Sequence, residues 1–464
     1  MRSLLMRLLL VFALAASLQA QTPEIAGSWE GTLEAPGGKL RLRLHVARAD
    51  DGALSAKMDS VDQGAMGIPV DQISVADGVV KWAITRLGAS YEGKLSPAGD
   101  AIAGTMTQGM ALKLDLKRMS AAEAKAAVAP PARPQTPKPP FPYAIEEVTY
   151  PSKEAGVTMG CTLTIPAGAG PHPAVALISG SGAQDRDETI MNHKPFLVLA
   201  DHLSRRGIAV LRCDDRGVGK STGDRSKATS ADFSNDAEGG LDYLAKRKEI
   251  DSKRIGFIGH SEGGLIAPMI AVRRPETAFI VLMAGSGVDG EQILYEQGQA
   301  VLKAQGASEE RLAVQKQLQV KMFGIIRAEP DPGTAATKLK EVLGSAPAVE
   351  QSIRNVNSPW FRYFLTYNPQ PVLAKVKCPV LALDGSLDTQ VVAAQNLPAI
   401  EAALKQGGNR DFEIALLPGL NHLMQTAKTG GVGEYSQIEE TMAPAALDKM
   451  ASWLRQRAGL EEKK

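Results

Sequence analysis

The sequence has few cysteines, few histidines and almost no net charge, and each shortage argues against a class of function. Its 464 residues include three cysteines and six histidines, and 52 basic residues balance 51 acidic ones to a net charge of +1. A chain this close to neutrality has no electrostatic attraction for nucleic acid or for an anionic membrane, so we expect neither as a partner. No two cysteines are close enough in sequence to suggest a metal-binding pair, and we expect no metal site.

The three cysteines, Cys161, Cys213 and Cys378, cannot all pair with one another. Each lies in or beside an apolar run that is typical of a strand. We therefore expect buried free thiols and not a protein built on disulfides.

The first twenty residues have the order of a secretory signal peptide. A cationic segment ends at Arg7, an apolar run covers residues 8–16, and Ala20 offers a small residue for cleavage. The apolar run is too short to span a bilayer comfortably. We expect residues 1–20 to be removed during export to the periplasm or the exterior, with no stable membrane insertion afterwards. The alternative is an uncleaved membrane anchor.

Residues 25–118 predict a small antiparallel β-barrel or sandwich. Apolar and polar side chains alternate over residues 40–47 and again over 112–117, which is the period of a half-buried strand, and turn residues separate such runs. Residues 119–142 then become rich in alanine and proline, which predicts a stiff, extended linker.

From Tyr143 onward, strand and helix patterns alternate, which predicts a mostly parallel sheet with helices on both faces. Predicted strands cover residues 174–178, 208–211, 255–258, 379–383 and 412–416. The alternation stops between residues 288 and 371, where the period is helical. We therefore divide this part into a core, residues 143–287 and 372–457, and a helical cap, residues 288–371.

Ser261 lies between a predicted strand and a predicted helix, in the sequence Gly259-His260-Ser261-Glu262-Gly263. G-x-S-x-G in this context marks a nucleophile held at a strained turn. Side chains at the flanking positions would collide with neighbouring backbone, and glycine avoids that collision. The segment predicts that Ser261 is a catalytic nucleophile.

The general base is predicted by elimination. When the serine is on a strand-to-helix turn of this type, the acid and then the histidine follow it along the chain. His422 is the one histidine after Ser261. His260 is the rival, but an immediate neighbour points the wrong way to accept the proton of Ser261, so we expect it to pack beside the turn.

Asp388 is the predicted acid, because it lies on the loop after the preceding strand and can reach back to His422. Asp384 stands at the end of that strand and is the alternative. The predicted oxyanion donors are the backbone N–H groups of Glu262, directly after the nucleophile, and of Ser181, with Gly182 adjacent.

The chain from Tyr143 to Leu454 resembles an α/β-hydrolase of the bacterial esterase branch related to dienelactone hydrolases and serine aminopeptidases. The segments that carry the resemblance are residues 179–187, 214–221, 259–264, 385–388 and 420–422. The N-terminal unit resembles small barrel domains that precede such esterases in exported proteins.

The resemblance implies cleavage of a small-molecule carboxylic ester through an acyl-enzyme, with no metal or organic cofactor. Peptidase or aminopeptidase activity of the same fold is the alternative. A third hypothesis makes the protein a binding module with a vestigial hydrolase. The sequence does not define an oligomeric state.

Several residues have two interpretations. Trp360, Phe364 and Tyr367 share one face of a predicted cap helix and either pack the cap or line an acyl pocket. The side chain of Glu262 either attracts a substrate amine or makes hydrogen bonds within the fold. Two segments, residues 218–222 and 285–290, look like nucleotide-binding loops. The first lacks the glycine needed at position 214, and the second lies late in the sheet. The resemblance implies instead that the first is a structural turn after a strand, in which residues 214–216 brace the active-site loops.

Overall fold

A computed structural model describes residues 24–35, 38–61, 65–108, 110–128, 132–344 and 347–460. The predicted signal peptide, residues 1–20, lies outside this range. Within the described residues, no helix combines the length and the apolar character needed to cross a membrane.

The N-terminal domain is a ten-stranded antiparallel sheet that curls into a nearly closed barrel, as the alternating pattern predicts. Its sheet order is β4-β3-β2-β1-β10-β8-β7-β6-β5, with β9 paired to β8. The strands are β1 (Gly27–Ala35), β2 (Gly38–Arg48), β3 (Leu54–Ser60), β4 (Ala65–Val70), β5 (Gln72–Ala76), β6 (Val79–Ile84), β7 (Ala89–Leu95), β8 (Ala101–Gln108), β9 (Met110–Lys113) and β10 (Leu116–Arg118). Inward-facing side chains such as Trp29, Leu44 and Trp82 form a core separate from those of the rest of the chain.

The strand predicted over residues 112–117 is interrupted at Leu114 and Asp115, between β9 and β10. The carboxylate of Asp115 accepts a hydrogen bond from the backbone N–H of Gly104 at 3.2 Å. The Asp115 side chain therefore accepts a hydrogen bond that a backbone carbonyl would accept in a regular strand. The alternation of apolar and polar residues does not indicate this interruption.

The second domain is an eight-stranded, mostly parallel sheet with the order β11-β12-β14-β13-β15-β16-β17-β18. Its core elements are β11 (Tyr143–Pro151), β12 (Thr158–Pro166), β13 (His172–Ile178), α2 (Pro195–Ser204), β14 (Ala209–Cys213), α3 (Ser230–Ala245), β15 (Ile250–His260), α4 (Glu262–Arg273), β16 (Ile280–Met283), β17 (Val380–Gly385), α11 (Ala393–Gln406), β18 (Phe412–Leu417) and α12 (Pro444–Arg457). The cap consists of α5 (Gly290–Ala304), α6 (Glu309–Ala328), α7 (Pro332–Leu343), α8 (Pro347–Val356), α9 (Pro359–Thr366) and α10 (Gln370–Leu373).

Helices cover both faces of this sheet, so its central strands are buried on both sides. One hydrophobic cluster packs α3, α4 and α11 on one face, and a second packs α2 and α12 on the other. The carboxyl ends of β13 to β18 therefore meet at one edge, where the loops that follow them come together.

The linker is anchored to the second domain. It begins with a short helix, α1 (Ala121–Val128). The guanidinium of Arg133 then donates hydrogen bonds to the backbone carbonyls of Met191 at 2.9 Å, Ser436 at 3.1 Å and Ile438 at 2.8 Å. The residues after α1 thus tie the loop before α2 to the loop before α12.

The expectation of three free thiols is wrong for two of them. Strands β12 and β14 pair antiparallel with Cys161 directly opposite Cys213, and the two form a disulfide with Cα atoms 4.0 Å apart. Cys378 is free and half-buried, and burial raises the pKa of its thiol to about 12. The pairing depends on the order of strands in the sheet, which the cysteine spacing does not show.

We expect non-reducing peptide mapping of the protein to yield one linked peptide pair containing Cys161 and Cys213. Cys378 should be alkylated rapidly only after denaturation, because a buried thiol with a raised pKa carries little thiolate. Replacing both paired cysteines by alanine should lower the free energy of unfolding by about 2–4 kcal/mol. Recovery of three alkylated thiols from undenatured, unreduced protein would refute the pairing.

Candidate active site

Ser261 occupies a sharp turn between β15 and α4. Its φ and ψ are 54° and −114°, a conformation that residues other than glycine rarely adopt. The turn is held by a hydrogen bond of 2.9 Å from the backbone N–H of Ser261 to the carbonyl of Met283 in the neighbouring strand. The side chain is partly exposed at the carboxyl edge of the sheet.

The glycines around Ser261 are required by close backbone contacts, as predicted. A Cβ atom on Gly259 would lie 2.0 Å from the carbonyl oxygen of Gly263, and a Cβ on Gly263 would lie 2.1 Å from that of Ile178. A Cβ on Gly264 would lie 2.6 Å from the Cα of Gly285. Neighbouring backbone therefore occupies the space that any side chain would need.

His422 and Asp388 meet at the same edge of the sheet. The Nδ1 atom of His422 lies 2.7 Å from Oδ2 of Asp388, and both side chains are buried. The other carboxylate oxygen of Asp388 accepts the backbone N–H groups of Gln390 and Val391. Although burial opposes ionisation, the charge of His422 and these hydrogen bonds hold the pKa of Asp388 below its usual value.

Asp384, the alternative acid, has a different environment. It ends β17, is fully buried, and accepts the backbone N–H of Gly385 through Oδ1. Its Oδ2 atom has no hydrogen-bond partner among the described residues. Burial, and then the charge of Asp388, raise its pKa well above the usual value. Asp388, and not Asp384, is the residue bonded to His422.

Among the described residues, no hydrogen bond joins Ser261 Oγ to His422. The two residues are connected through His260, whose Nε2 atom lies 3.0 Å from the backbone oxygen of His422. Hydrogen bonds between a nucleophile and its base are often long without substrate and tighten when substrate binds. The structure thus gathers the serine, histidine and aspartate at one edge, and their catalytic roles stay predictions.

His260 packs beside the turn, as its position next to Ser261 predicts. Both of its ring nitrogens are engaged: Nδ1 lies 2.8 Å from Oε1 of Glu188, and Nε2 faces the carbonyl of His422. It therefore has no free nitrogen to accept the proton of Ser261. Glu188 was not among the sequence candidates, because its contact with His260 spans 72 residues of sequence.

The predicted oxyanion donors lie on two loops. Glu262 is the first residue of α4, so its backbone N–H has no acceptor within the helix. The positive end of the helix dipole lies at the same place and favours a negative charge there. Ser181 is exposed on the loop after β13. Its neighbour Gly180 donates its own N–H to Glu188 Oε1 at 2.7 Å, so that amide is already occupied.

Two aspartates brace the loop that carries Ser181. Asp215 accepts Ser179 Oγ at 2.6 Å, the backbone N–H of Gln184 at 3.0 Å and Arg225 Nη1 at 2.9 Å. Burial raises the pKa of Asp215 to about 6 despite these bonds. Asp214 accepts hydrogen bonds from the guanidinium of Arg186, which lies further along the same loop. These contacts match the structural interpretation of residues 214–216.

The side chain of Glu262 bonds within the fold. Its Oε1 atom accepts Ser230 Oγ at 2.6 Å and the indole N–H of Trp360 at 2.7 Å, which joins the core to cap helix α9. Burial raises the pKa of the Glu262 carboxyl. Of the two interpretations of this side chain, the contacts therefore favour hydrogen bonding within the fold.

A cavity opens beside Glu262. Apolar residues such as Met159, Phe233 and Ile266 line it together with charged ones such as Asp215 and Arg225. Ser179 and Gly180 are also part of the lining. The cap aromatics Trp360, Phe364 and Tyr367 are not among the described residues that line it. The rings of Trp360 and Phe364 stack at 5.4 Å, and all three pack against the core. These contacts favour cap packing, and their role as substrate contacts stays a prediction.

The described residues contain no cluster of three or more histidine, cysteine or acidic side chains able to hold a metal ion.

Asparagine substitutions at Asp388 and Asp384 should have opposite outcomes. Asp388→Asn should lower kcat for an ester by on the order of 10⁴-fold, because an amide no longer fixes the imidazole tautomer. Asp384→Asn keeps the side-chain oxygen that accepts the Gly385 N–H, and Asp384 is not bonded to His422, so kcat should stay close to that of the unmodified protein. Steady-state kinetics on p-nitrophenyl esters measures both. If kcat instead falls in Asp384→Asn and stays normal in Asp388→Asn, Asp384 is the acid.

Comparisons with known proteins agree with this fold. The family model for serine aminopeptidase, S33, matches residues 193–427. Esterase EstD from Thermotoga maritima is 29% identical over 299 residues, which cover 63% of this chain and 64% of EstD. The 2,6-dihydropseudooxynicotine hydrolase of Paenarthrobacter nicotinovorans is 30% identical over 130 residues, which cover 28% of this chain and 33% of that enzyme. The matched part is thus less than two thirds of the length of either relative.

Among solved structures, the proline iminopeptidase of Mycobacterium smegmatis aligns with a TM-score of 0.44 and 15% identity over 68% of this chain and 100% of that one. The family model covers half of the chain, from the loop before α2 to beyond His422. The predicted α/β-hydrolase fold is confirmed, and the chain belongs to the serine aminopeptidase S33 family.

Proposed function

We propose that this protein is an exported serine hydrolase that cleaves carboxylic esters through an acyl-enzyme. The observation that carries the proposal is the 2.7 Å contact between His422 and Asp388, at the edge where the strained turn presents Ser261. A nucleophile, a base and an oriented acid at one site are the parts that this chemistry requires.

In the proposed reaction, Ser261 Oγ attacks the ester carbonyl carbon while Nε2 of His422 takes the hydroxyl proton. The negative charge that develops on the carbonyl oxygen is stabilised by the backbone N–H groups of Glu262 and Ser181. His422 then gives its proton to the departing alcohol, which leaves an acyl group on Ser261. Water attacks that acyl group with His422 again as base, the acid departs, and Ser261 regains its proton.

Asp388 supports both halves of this reaction. By accepting the Nδ1–H of His422, it leaves Nε2 as the acceptor that must face Ser261. Its negative charge stabilises the imidazolium that forms at each proton transfer. Neither step requires a metal ion or an organic cofactor.

We place the acyl group in the cavity beside Glu262. The lining includes Ser179 and Gly180, on the loop of the proposed oxyanion donor Ser181, and its apolar part suits a hydrocarbon acyl chain. An aminopeptidase, the alternative, needs an acidic group free to bind the substrate amine. The Glu262 carboxyl already bonds to Ser230 and Trp360, which favours the ester.

Export is part of the proposal. Residues 1–20 have the order of a signal peptide, and the disulfide between Cys161 and Cys213 is of a kind that persists in oxidising compartments. We therefore place the protein in the periplasm or outside the cell, where it acts on a small-molecule ester.

Replacing Ser261 by alanine should reduce kcat on p-nitrophenyl esters by on the order of a millionfold, because no other group in the site supplies the attacking oxygen. Ser308→Ala, at the start of cap helix α6, is the matched control and should keep normal kcat. Unchanged esterase activity in the Ser261 variant would refute the assignment.

The same purified sample should hydrolyse p-nitrophenyl esters with a higher kcat/KM than aminoacyl p-nitroanilides. The reason is that Glu262, the acidic residue next to Ser261, is buried and already accepts hydrogen bonds from Ser230 and Trp360. A panel of ester chain lengths and aminoacyl anilides makes the comparison, and a preference for anilides would establish the aminopeptidase alternative. Absence of activity on both, with no labelling by a fluorophosphonate, would favour the binding-module hypothesis.

A further inference from the structure

Glu188 and His260 form a buried pair that the proposed reaction does not use. Their exposed fractions are 3% and 4%. Glu188 Oε1 lies 2.8 Å from His260 Nδ1 and also accepts the backbone N–H of Gly180. On the other side of the ring, Nε2 lies 3.0 Å from the backbone oxygen of His422. The pair therefore joins three loops: the one that carries Gly180, the turn at Ser261, and the one that carries His422.

The partners of His260 determine how many protons its ring carries. A backbone carbonyl oxygen only accepts, so Nε2 must donate to His422. Oε1 of Glu188 already accepts the backbone N–H of Gly180, which marks it as an acceptor oxygen, so Nδ1 must donate to it. A ring that donates from both nitrogens is an imidazolium. Burial opposes this charge, but the attraction and hydrogen bond of Glu188 outweigh burial and raise the pKa of His260.

Glu188 is held in a strained conformation. Its φ is 52°, in the left-handed region that residues other than glycine rarely adopt. Such strain persists only where surrounding contacts maintain it, and it concentrates at functional sites. The two bonds to Oε1 are contacts of this kind.

We propose that Glu188 and His260 are positioning residues of the active site, an imidazolium–carboxylate pair that fixes the loops of Gly180 and His422 against the turn of Ser261. The proposal rests on the proposed function, since the positions it fixes are those of the oxyanion loop, the nucleophile and the base. Neither residue touches the reacting atoms.

The ring of His260 also packs against the ring of His422. Their centroids are 4.8 Å apart, and Glu188 bonds to Nδ1 of His260. Asp388, from the loop after β17, bonds to the imidazole of His422. The charges of Glu188 and Asp388 both act to raise the pKa of His260.

Glu188→Gln tests the pair with little change in volume. In the structure, Oε1 of Glu188 accepts hydrogen bonds from both Gly180 and His260. A neutral imidazole has a single N–H to donate. If the amide oxygen faces Gly180, Nδ1 must donate to it and the bond from Nε2 to His422 is lost. If the amide nitrogen faces Nδ1, the bond from Gly180 is lost. The variant therefore cannot keep all three hydrogen bonds with a neutral ring.

We expect Glu188→Gln to lower kcat/KM by about 10- to 100-fold, mainly through kcat, because small displacements of reacting groups are costly. KM should change little, because neither residue touches the substrate and the interaction lost acts on the transition state. A role in stability alone would lower the melting temperature and leave kcat of the folded variant unchanged. A folded variant with normal kcat would overturn the proposal.

Asp59→Asn in the N-terminal domain is the matched control. Asp59 is buried, lies 2.8 Å from His45 Nε2 and accepts the backbone N–H of Gly67, so the substitution makes the same chemical change at a similar pair. The control should leave kcat unchanged. An equal loss of kcat in both variants would overturn a specific role for Glu188.

Nitrogen NMR of ¹⁵N-histidine-labelled protein tests the pair even if Glu188→Gln does not fold. His260 in the unmodified protein should show two protonated ring nitrogens at neutral pH, and its resonances are assigned with His260→Gln. A neutral tautomer at neutral pH would overturn the proposal. Because this measurement needs no turnover, it remains decisive if Ser261→Ala shows that the proposed reaction is wrong.

Discussion

The site depends on one backbone constraint, the positive-φ turn that links β15 to α4 at Ser261. A residue other than glycine in such a conformation costs about 1–3 kcal/mol, so surrounding contacts must hold it. Three glycines let the adjacent backbone segments approach, and the neighbouring strand accepts the N–H of Ser261. The same turn starts α4, so one local conformation both exposes the hydroxyl and presents the first backbone N–H of the helix.

The other parts of the site are loops held against this turn by buried polar contacts. Asp215 holds the loop after β13, and Glu188 joins that loop to His260. Asp388 orients His422 at the far side. The cap reaches the site through the bond from Trp360 to Glu262. These buried polar contacts thus lie at one edge of the sheet, where they fix groups from distant parts of the chain.

Local patterns in the sequence predicted the fold and the strained turn at Ser261. Most features that the sequence analysis did not predict depend on contacts between distant segments of the chain. The glycines around Ser261 could be interpreted because the collisions they avoid involve nearby backbone. The choice between Asp388 and Asp384 depended on where each lies relative to the end of β17, and the strand pattern in the sequence indicated that position. In the structure, Asp388 is the residue that contacts His422. The pair of Cys161 and Cys213 depends on which strands are neighbours, and the contact of Glu188 with His260 depends on where two loops meet. Neither contact produces a periodic pattern or a characteristic residue spacing in the sequence.

The most direct measurement is a crystal structure of the protein after reaction with a fluorophosphonate. The account predicts a covalent phosphoryl group on Ser261, with its oxygen within hydrogen-bond distance of the Glu262 backbone N–H and with His422 Nε2 facing Ser261 Oγ. An adduct on another residue, or an imidazole of His422 turned away from Ser261 in the adduct, would contradict it.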